Sequence, residues 1–238
     1  MTTVFPGSTS QDDEALAARA AVHAALGEPA RLRIVDLLRL GDATGSELAA
    51  ALDMRSNLLA HHLGVLRRAG LVSSHASQGD GRRQYLRLVP SALDVSATVV
   101  DAPPRVVFVC TANSARSPLA EALWHRASDV PASSAGTAPA ARVNPGAVEA
   151  ARRHGLTLAD HGPQDLHDVV TDRDLVVTVC DLAHESARPP GSLHWSVPDP
   201  AREGTAAAFD RAYDELAGRV AALAARFTTP PTPERAAS

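Results

Sequence analysis

Val106-Val107-Phe108-Val109-Cys110-Thr111-Ala112-Asn113-Ser114-Ala115-Arg116-Ser117-Pro118 decides how the second half of this chain folds. An apolar run leads into a cysteine, five residues separate that cysteine from an arginine, and a helical pattern follows over 118–127. A loop between a strand and a helix N-terminus curls its backbone N–H groups into an anion-binding nest, and the helix dipole adds positive potential there. A tetrahedral oxyanion fits such a cup. Arg116, returning to it, is placed to bind two oxygens at once and, with the amides, to favour the thiolate form of Cys110 at neutral pH. Cys110 is therefore the expected nucleophile, Ser117 the hydroxyl that hydrogen-bonds its sulfur as a leaving group, and Asn113 the side chain that pins the loop's turns. Pro118 suits the first position of the helix. A buried thiol and a surface arginine matched by chance would lack the strand before and the helix after.

Outward from this stretch, apolar strands alternate with helices: PASSAG, a helix over 145–154, DLVVTVC, LHW, and a last helix over about 205–227. Such alternation predicts a mostly parallel α/β sheet. Asp199 in Pro198-Asp199-Pro200 sits in a stiff loop of the kind that holds one carboxyl over the cup, and is the expected general acid. Cys110 and Cys180, the only cysteines, both close apolar strands, and ligands of a parallel sheet bind at its C-terminal edge. Both sulfurs are thus expected in one crevice. The histidines, among them His61, His62, His154, His161, His184 and His194, show no metal-ligand spacing.

The first half reads differently. An alanine-rich helical pattern over 12–27 ends at Gly27, and Pro29 opens a second helix, ARLRIVDLLRL. A short helix over 44–52, a break at Asp53-Met54-Arg55 and a longer helix from Ser56 to about Ala69 make a helix-turn-helix, terminated by Gly70. LVSSHA and RQYLRLV then flank a Gly79-Asp80-Gly81 turn, which predicts a β-hairpin wing. Residues 55–89 hold six arginines (Arg55, Arg67, Arg68, Arg82, Arg83 and Arg87) against one acid, Asp80, a polyanion-facing balance within a chain of net charge −4.

GEPARLRIVDLL, ELAAALDMRSNLLAHHLGVLRRAGLV and GDGRRQYLRL, in that order, resemble the ArsR family of winged-helix repressors over roughly 15–89. In that arrangement Ser56, Asn57, Ala60 and His61 face the major groove of an operator in double-stranded DNA, Leu58, Leu63 and Leu66 face inward, and Arg82 and Arg83 touch phosphate. The resemblance also implies a homodimer formed through terminal helices. The cysteine pair that arsenic sensors of the family often carry is missing here, where the chain reads GDATGSELAAAL, so the inducer stays open.

Residues 104–227 resemble the low-molecular-weight phosphotyrosine phosphatase fold, especially its arsenate reductase branch: the Cys110 loop, Ser134-Ala135-Gly136-Thr137, Asn144-Pro145-Gly146, DLVVTVC, and the HW and DP elements all match. The resemblance implies that Thr111, Ala112, Asn113, Ser114, Ala115, Arg116 and Ser117 bind the oxyanion, that Ser134 braces the loop, and that helices cover both faces of the sheet. Cys180 matches the resolving cysteine of thioredoxin-linked reductases, whose third cysteine has no counterpart after Cys180; either Cys180 forms a disulfide with Cys110 that an external reductant opens, or a low-molecular-weight thiol resolves the adduct directly and Cys180 is a thiol packed in the core. Attack by water on the cysteine adduct makes a phosphatase; attack by a second thiol makes a reductase, releasing arsenite and leaving a disulfide. Asp199-Pro200 is followed by Ala201-Arg202, and aromatics are only 3% of the chain, so a phenyl-sized pocket is poorly furnished.

The reading is an ArsR-type regulator fused to a thiol-dependent arsenate reductase. Its rivals are a repressor whose second domain senses an oxyanion or arsenite without turnover, and a protein-tyrosine phosphatase. Expected domains are 12–89, a linker over 90–104, 105–227, and a disordered tail over 228–238, after a disordered lead over 1–10. No bound cofactor or metal is expected; the external reductant is thioredoxin, glutaredoxin or a low-molecular-weight thiol. An N-terminus without a basic start or apolar core, no apolar run of membrane-spanning length, and two unpaired cysteines point to the cytoplasm and away from a membrane partner.

Overall fold

The computed structural model describes residues 10–89, 100–187 and 192–228. The lead over 1–9, most of the expected linker (90–99) and the tail from 229 lie outside the described residues. Two compact units emerge, one of residues 10–76 and 83–89, the other of 77–82, 100–187 and 192–228.

The first unit carries helices α1 (Ser10–Leu26) and α2 (Pro29–Leu40), strand β1 (Ala43–Thr44), helices α3 (Gly45–Ala51) and α4 (Ser56–Arg68), and strands β2 (Val72–Ala76) and β3 (Gln84–Leu88). Local chemistry sets these boundaries. The Glu28 carboxylate accepts from the amides of Ala30 (3.1 Å) and Arg31 (3.0 Å), with Pro29 at the first helical position of α2. Thr44 and Glu47 form a reciprocal capping box on α3. Gly70, at φ +72°, provides the left-handed residue after α4. β2 and β3 pair antiparallel as the wing, and β1 joins β3 as a third strand that the sequence pattern does not reveal.

Two expectations for this unit need correction. The buried stripe of α4 is Leu59, His62, Leu63 and Leu66, whereas Leu58 is 48% exposed. Leu58 lies one residue, or about 100° of helical rotation, off that stripe. Arg87 is no free surface charge either: its guanidinium makes a forked pair with Asp42 (3.0–3.3 Å), tying β3 to the end of α2.

The second unit begins with β4 (Val100–Asp101), inside the expected linker, which pairs parallel with the last strand, β9 (Phe227–Thr228). Between them lie β5 (Val106–Cys110), α5 (Arg116–Ala127), β6 (Ala132–Gly136), α6 (Pro145–Arg153), α7 (Leu166–Val169) and β7 (Leu175–Thr178). α8 (Asp181–Ala187), β8 (Leu193–His194), α9 (Pro200–Glu203) and α10 (Ala206–Ala224) complete it. The main sheet is parallel, in the order β6-β5-β7-β8, so β5 is interior. All five residues of β5 are buried; because alternate side chains point to opposite faces, both faces of the sheet are covered there. Phe108 meets Trp124 on α5 and Trp195 after β8 at centroid distances of 5.8 and 5.7 Å.

The register of β5 against β7 is fixed at its lower end by Arg105, whose carbonyl accepts from the Leu175 amide (2.9 Å) and whose guanidinium forks onto Asp174 (2.9 and 2.6 Å). The Arg105 hydrogen bonds, aided by those from Thr171, outweigh burial and hold the Asp174 carboxyl at about 2. Asp174→Asn is expected to cost about 2 kcal/mol at neutral pH, the scale of hydrogen bonds to a charged group. A carboxyl depressed from 3.8 to about 2 stabilises the fold fully above pH 4 and loses that contribution as pH falls toward 2. The wild-type advantage should therefore vanish across that window in urea titrations followed by tryptophan fluorescence, since both tryptophans, Trp124 and Trp195, are buried in this unit.

Candidate active site

β5 ends at Cys110, α5 begins at Arg116, and the loop between them turns because its outward carbonyls are taken. The amides of Thr137, Ala138, Ala140 and Asn144 donate to the carbonyls of Cys110 (3.1 Å), Thr111 (2.9 Å), Ala112 (2.9 Å) and Ser114 (2.8 Å). Among the described residues, no group accepts from the amides of residues 111–116, leaving that row of donors for the concave side. Gly136 is required beneath the loop: a Cβ there would lie 2.7 Å from the Thr111 carbonyl oxygen and 3.0 Å from Asn113.

Asn113, at φ +46° and 1% exposed, organises the interior of the loop. Its Nδ2 donates to Ser117 Oγ and Ser134 Oγ, both at 2.9 Å, and its Oδ1 accepts from the Gln164 amide at 2.8 Å. Ser117 Oγ in turn lies 3.0 Å from Cys110 Sγ. Thr137 and Asn144 belong to stretches the sequence singles out, whereas Ala138, Ala140 and Gln164 are positioning residues that sequence reading misses; Gln164 stands 51 positions from Asn113 and carries no motif of its own. Behind the loop, His161 Nε2 meets the buried Glu121 carboxylate at 3.0 Å. Burial lowers the tendency of His161 to protonate, but the hydrogen bonds to Glu121 and the Gly162 carbonyl outweigh it and raise its pKa. Pro118 sits at the third position of α5, since the helix starts two residues earlier than the pattern suggests.

Arg116 is buried and spans the cleft, donating to the Val197 carbonyl (3.0 Å) and meeting Asp199 Oδ2 at 3.1 Å. Asp199 caps α9, its other oxygen accepting from the Ala201 amide (3.1 Å). Cys180 lies two residues beyond the end of β7 rather than on it. Its sulfur is 3.4 Å from Thr111 Oγ1 and accepts from the Ala183 amide at 3.4 Å. Burial pushes the Cys180 thiol up, the Arg116 charge opposes this, and Cys110 adds to it. Both sulfurs, Arg116 and Asp199 line one cleft of about 260 Å³, in whose wall no aromatic side chain stands among the described residues. The sequence expectation that both thiols share a crevice agrees with this geometry.

Asp181, beside Cys180, also lines the cleft. Burial raises its carboxyl, but hydrogen bonds from His194 and Ser196 prevail and hold it at about 2. Thr178 Oγ1 bridges Nδ1 of His194 (2.9 Å) and of His184 (3.1 Å), and the two rings stack at 4.2 Å. These histidines are locally bonded, and no cluster of three or more metal-ligating side chains occurs among the described residues.

In the first unit, Ser56, Asn57, Ala60 and His61 are all exposed on α4, with Asn57 and His61 opposite its buried stripe and Ser56 exposed at the helix start. Arg82 is exposed and Arg83 half-buried in the turn between β2 and β3. No helix among the described residues is long and apolar enough to cross a membrane.

Comparison with known proteins follows this division. The family model for low molecular weight phosphotyrosine protein phosphatase matches residues 105–230, and that for bacterial regulatory protein, arsR family, matches 28–74. An arsenate reductase of Shouchella clausii (strain KSM-K16) is 34% identical over 126 residues, covering 48% of this chain and 91% of that protein. An arsenate reductase of Bacillus subtilis (strain 168) is 35% identical over 127 residues, with coverages of 48% and 91%. The crystal structure of arsenate reductase from Archaeoglobus fulgidus is 32% identical, covers 50% of this chain and 98% of its own, and superposes with a TM-score of 0.44. With more than half of its length matched, the chain belongs to the low molecular weight phosphotyrosine protein phosphatase family and carries an arsR-family helix-turn-helix domain ahead of that fold.

Proposed function

We propose that this chain is an ArsR-type regulator fused to a thiol-dependent arsenate reductase. The observation that carries the reading is the pair of buried thiols, Cys110 and Cys180, on one cleft with Arg116 and Asp199. A phosphatase needs only the first thiol, whereas a reductase needs a second sulfur to take arsenic from As(V) to As(III). A cleft wall that holds no aromatic side chain among the described residues favours a small inorganic oxyanion over an aryl phosphate. The arsenate reductases of Shouchella clausii and Bacillus subtilis, matched over nearly their whole length, support the same substrate.

In this mechanism arsenate rests on the amides of Thr111, Ala112, Asn113, Ser114 and Ala115 and on the Arg116 guanidinium. The Cys110 thiolate attacks arsenic, and Asp199 gives a proton to the departing oxygen, which leaves as water. Ser117 donates to the Cys110 sulfur and eases its later departure. The Cys180 thiol then attacks that sulfur, its proton passing to the departing arsenite, the S–As electron pair goes to arsenic, and arsenite leaves behind a Cys110–Cys180 disulfide. An external thiol returns both cysteines to the reduced state. In the first unit α4 reads bases through Ser56, Asn57, Ala60 and His61; Arg82 and Arg83, in the turn between β2 and β3, hold phosphate, and a symmetric dimer reads a two-fold operator.

Cys110→Ser is expected to abolish arsenite release while leaving operator binding intact, measured by arsenite assay and gel shift on the same preparation. Wild-type protein given arsenate without external thiol should release one arsenite per chain and show a Cys110–Cys180 disulfide in unreduced peptides. Cys180→Ala should lose that burst, and a normal burst from it would return Cys180 to the status of core packing. Aryl phosphate supplied in parallel should release little phosphate; rapid release would make the domain a phosphatase. Arg82→Ala with Arg83→Ala should weaken binding to all DNA sequences alike and flatten the salt dependence by about 0.9 in log–log slope per lost phosphate contact. A change of sequence preference at unchanged slope would put the wing on base edges instead.

A further inference from the structure

Both cysteines of the cleft are 2% exposed. No third cysteine exists to carry a disulfide toward the surface, so one formed between Cys110 and Cys180 has to be opened where it forms. Thiol–disulfide exchange requires the attacking sulfur to reach the disulfide itself. The way in is the cleft of about 260 Å³, a space suited to a small molecule.

Its rim is specific in charge. Asp199 is engaged by Arg116 (3.1 Å) and the Ala201 amide, and Asp181 by His194 (3.2 Å); Glu203, next to Arg202 on α9, is engaged by Arg211 (2.6 Å). Arg202, exposed on α9 and lining the cleft, has no ion-pair partner among the described residues. Leu182, at the start of α8 and next but one to Cys180, lines the same cleft and is 53% exposed, an apolar surface in the wall that also carries this cation.

Resting on the reductase reading of this cleft, we propose that Arg202 and Leu182 form the entry subsite for a small thiol bearing a carboxylate, which reduces the Cys110–Cys180 disulfide in place. Arg202 takes the carboxylate and Leu182 covers the aliphatic body. The thiolate RS⁻ bonds to the Cys180 sulfur and the S–S bond breaks, its electron pair leaving on Cys110, whose sulfur Ser117 supports at 3.0 Å. A second RS⁻ displaces Cys180 from the mixed disulfide. Two RSH become RSSR, and their two electrons and two protons end on the two cysteines.

The test uses the full chain oxidised with diamide, its Cys110–Cys180 disulfide verified by peptide mass spectrometry, so that no arsenate chemistry is involved. Reduction rates are compared at equal thiolate concentration for mercaptosuccinate, 2-mercaptoethanol and cysteamine, and separately for reduced thioredoxin. Mercaptosuccinate is expected to be fastest and cysteamine slowest. Arg202→Ala should slow mercaptosuccinate about three- to fivefold, the worth of one exposed ion pair. Arg202→Lys should keep the order of the three thiols, and Arg202→Glu should invert it. An order that ignores residue 202, faster reduction by thioredoxin than by mercaptosuccinate, or failure of the disulfide to form would each overturn the proposal. Charge-selective reduction in a protein that releases no arsenite would leave the rim assignment standing and remove the reductase reading alone.

Discussion

The carbonyls of Cys110, Thr111, Ala112 and Ser114 are all claimed by amides of the 137–144 segment, and the chemistry of the cleft depends on that row of bonds. A peptide unit whose oxygen is fixed outward has its N–H fixed inward, so these contacts convert a flexible loop into a set of convergent donors. The conversion needs a backbone conformation unfavourable to most residues, which Asn113 adopts at φ +46° with three side-chain hydrogen bonds to hold it. It also needs clearance beneath, which Gly136 supplies. The loop's geometry is thus set in large part by Gly136 and the 137–144 segment, which do not line the cleft.

The same economy governs the second sulfur. β5 and β7 are neighbours in parallel register, with Val109 opposite Thr178, so the chain continuing from each strand reaches the same edge of the sheet. Cys180 comes to lie against Thr111, while Asp181 turns to His194 and Ser196. Burial alone would raise both the thiol and the carboxyl. Specific donors reverse this for Asp181, which holds its charge at the cleft wall, and leave Cys180 raised. A thiol that stays protonated until the neighbouring charge distribution changes is protected from oxidation by burial and by protonation alike.

Much of this was legible in the sequence where one element carries its own signal. Cys-x5-Arg between a strand and a helix, the Gly-Asp-Gly turn of the wing and the glycine that ends the helix from Ser56 are local patterns with local causes. Reading failed where the cause is distant. Leu58 looks like core until the stripe through Leu59, His62 and Leu66 is seen to exclude it, because a histidine near Glu28 takes the position hydrophobicity would assign to leucine. Arg87 counts toward a basic surface until Asp42 is found beside it. Gln164 and the β4–β9 pair join residues far apart in the chain, and pairing of that kind leaves no periodicity to detect.

The distribution of sulfur constrains how the two units share a task. Cys110 and Cys180 both lie in the second unit, and the helix-turn-helix unit contains no thiol. Trivalent arsenic is held by thiolates, soft ligands that oxygen and nitrogen donors of the first unit do not replace. Any response of DNA binding to arsenic through a thiol therefore begins at the cleft, or in thiols contributed by another molecule. On the proposed reading the cleft exists in chemically distinct states, reduced, arsenylated and disulfide-bonded, differing in charge at Arg116 and in the freedom of two strand ends. Coupling to the DNA-reading unit requires only that these states differ in free energy between its bound and unbound forms, and the same difference, by reciprocity, lets operator binding alter the chemistry of Cys110.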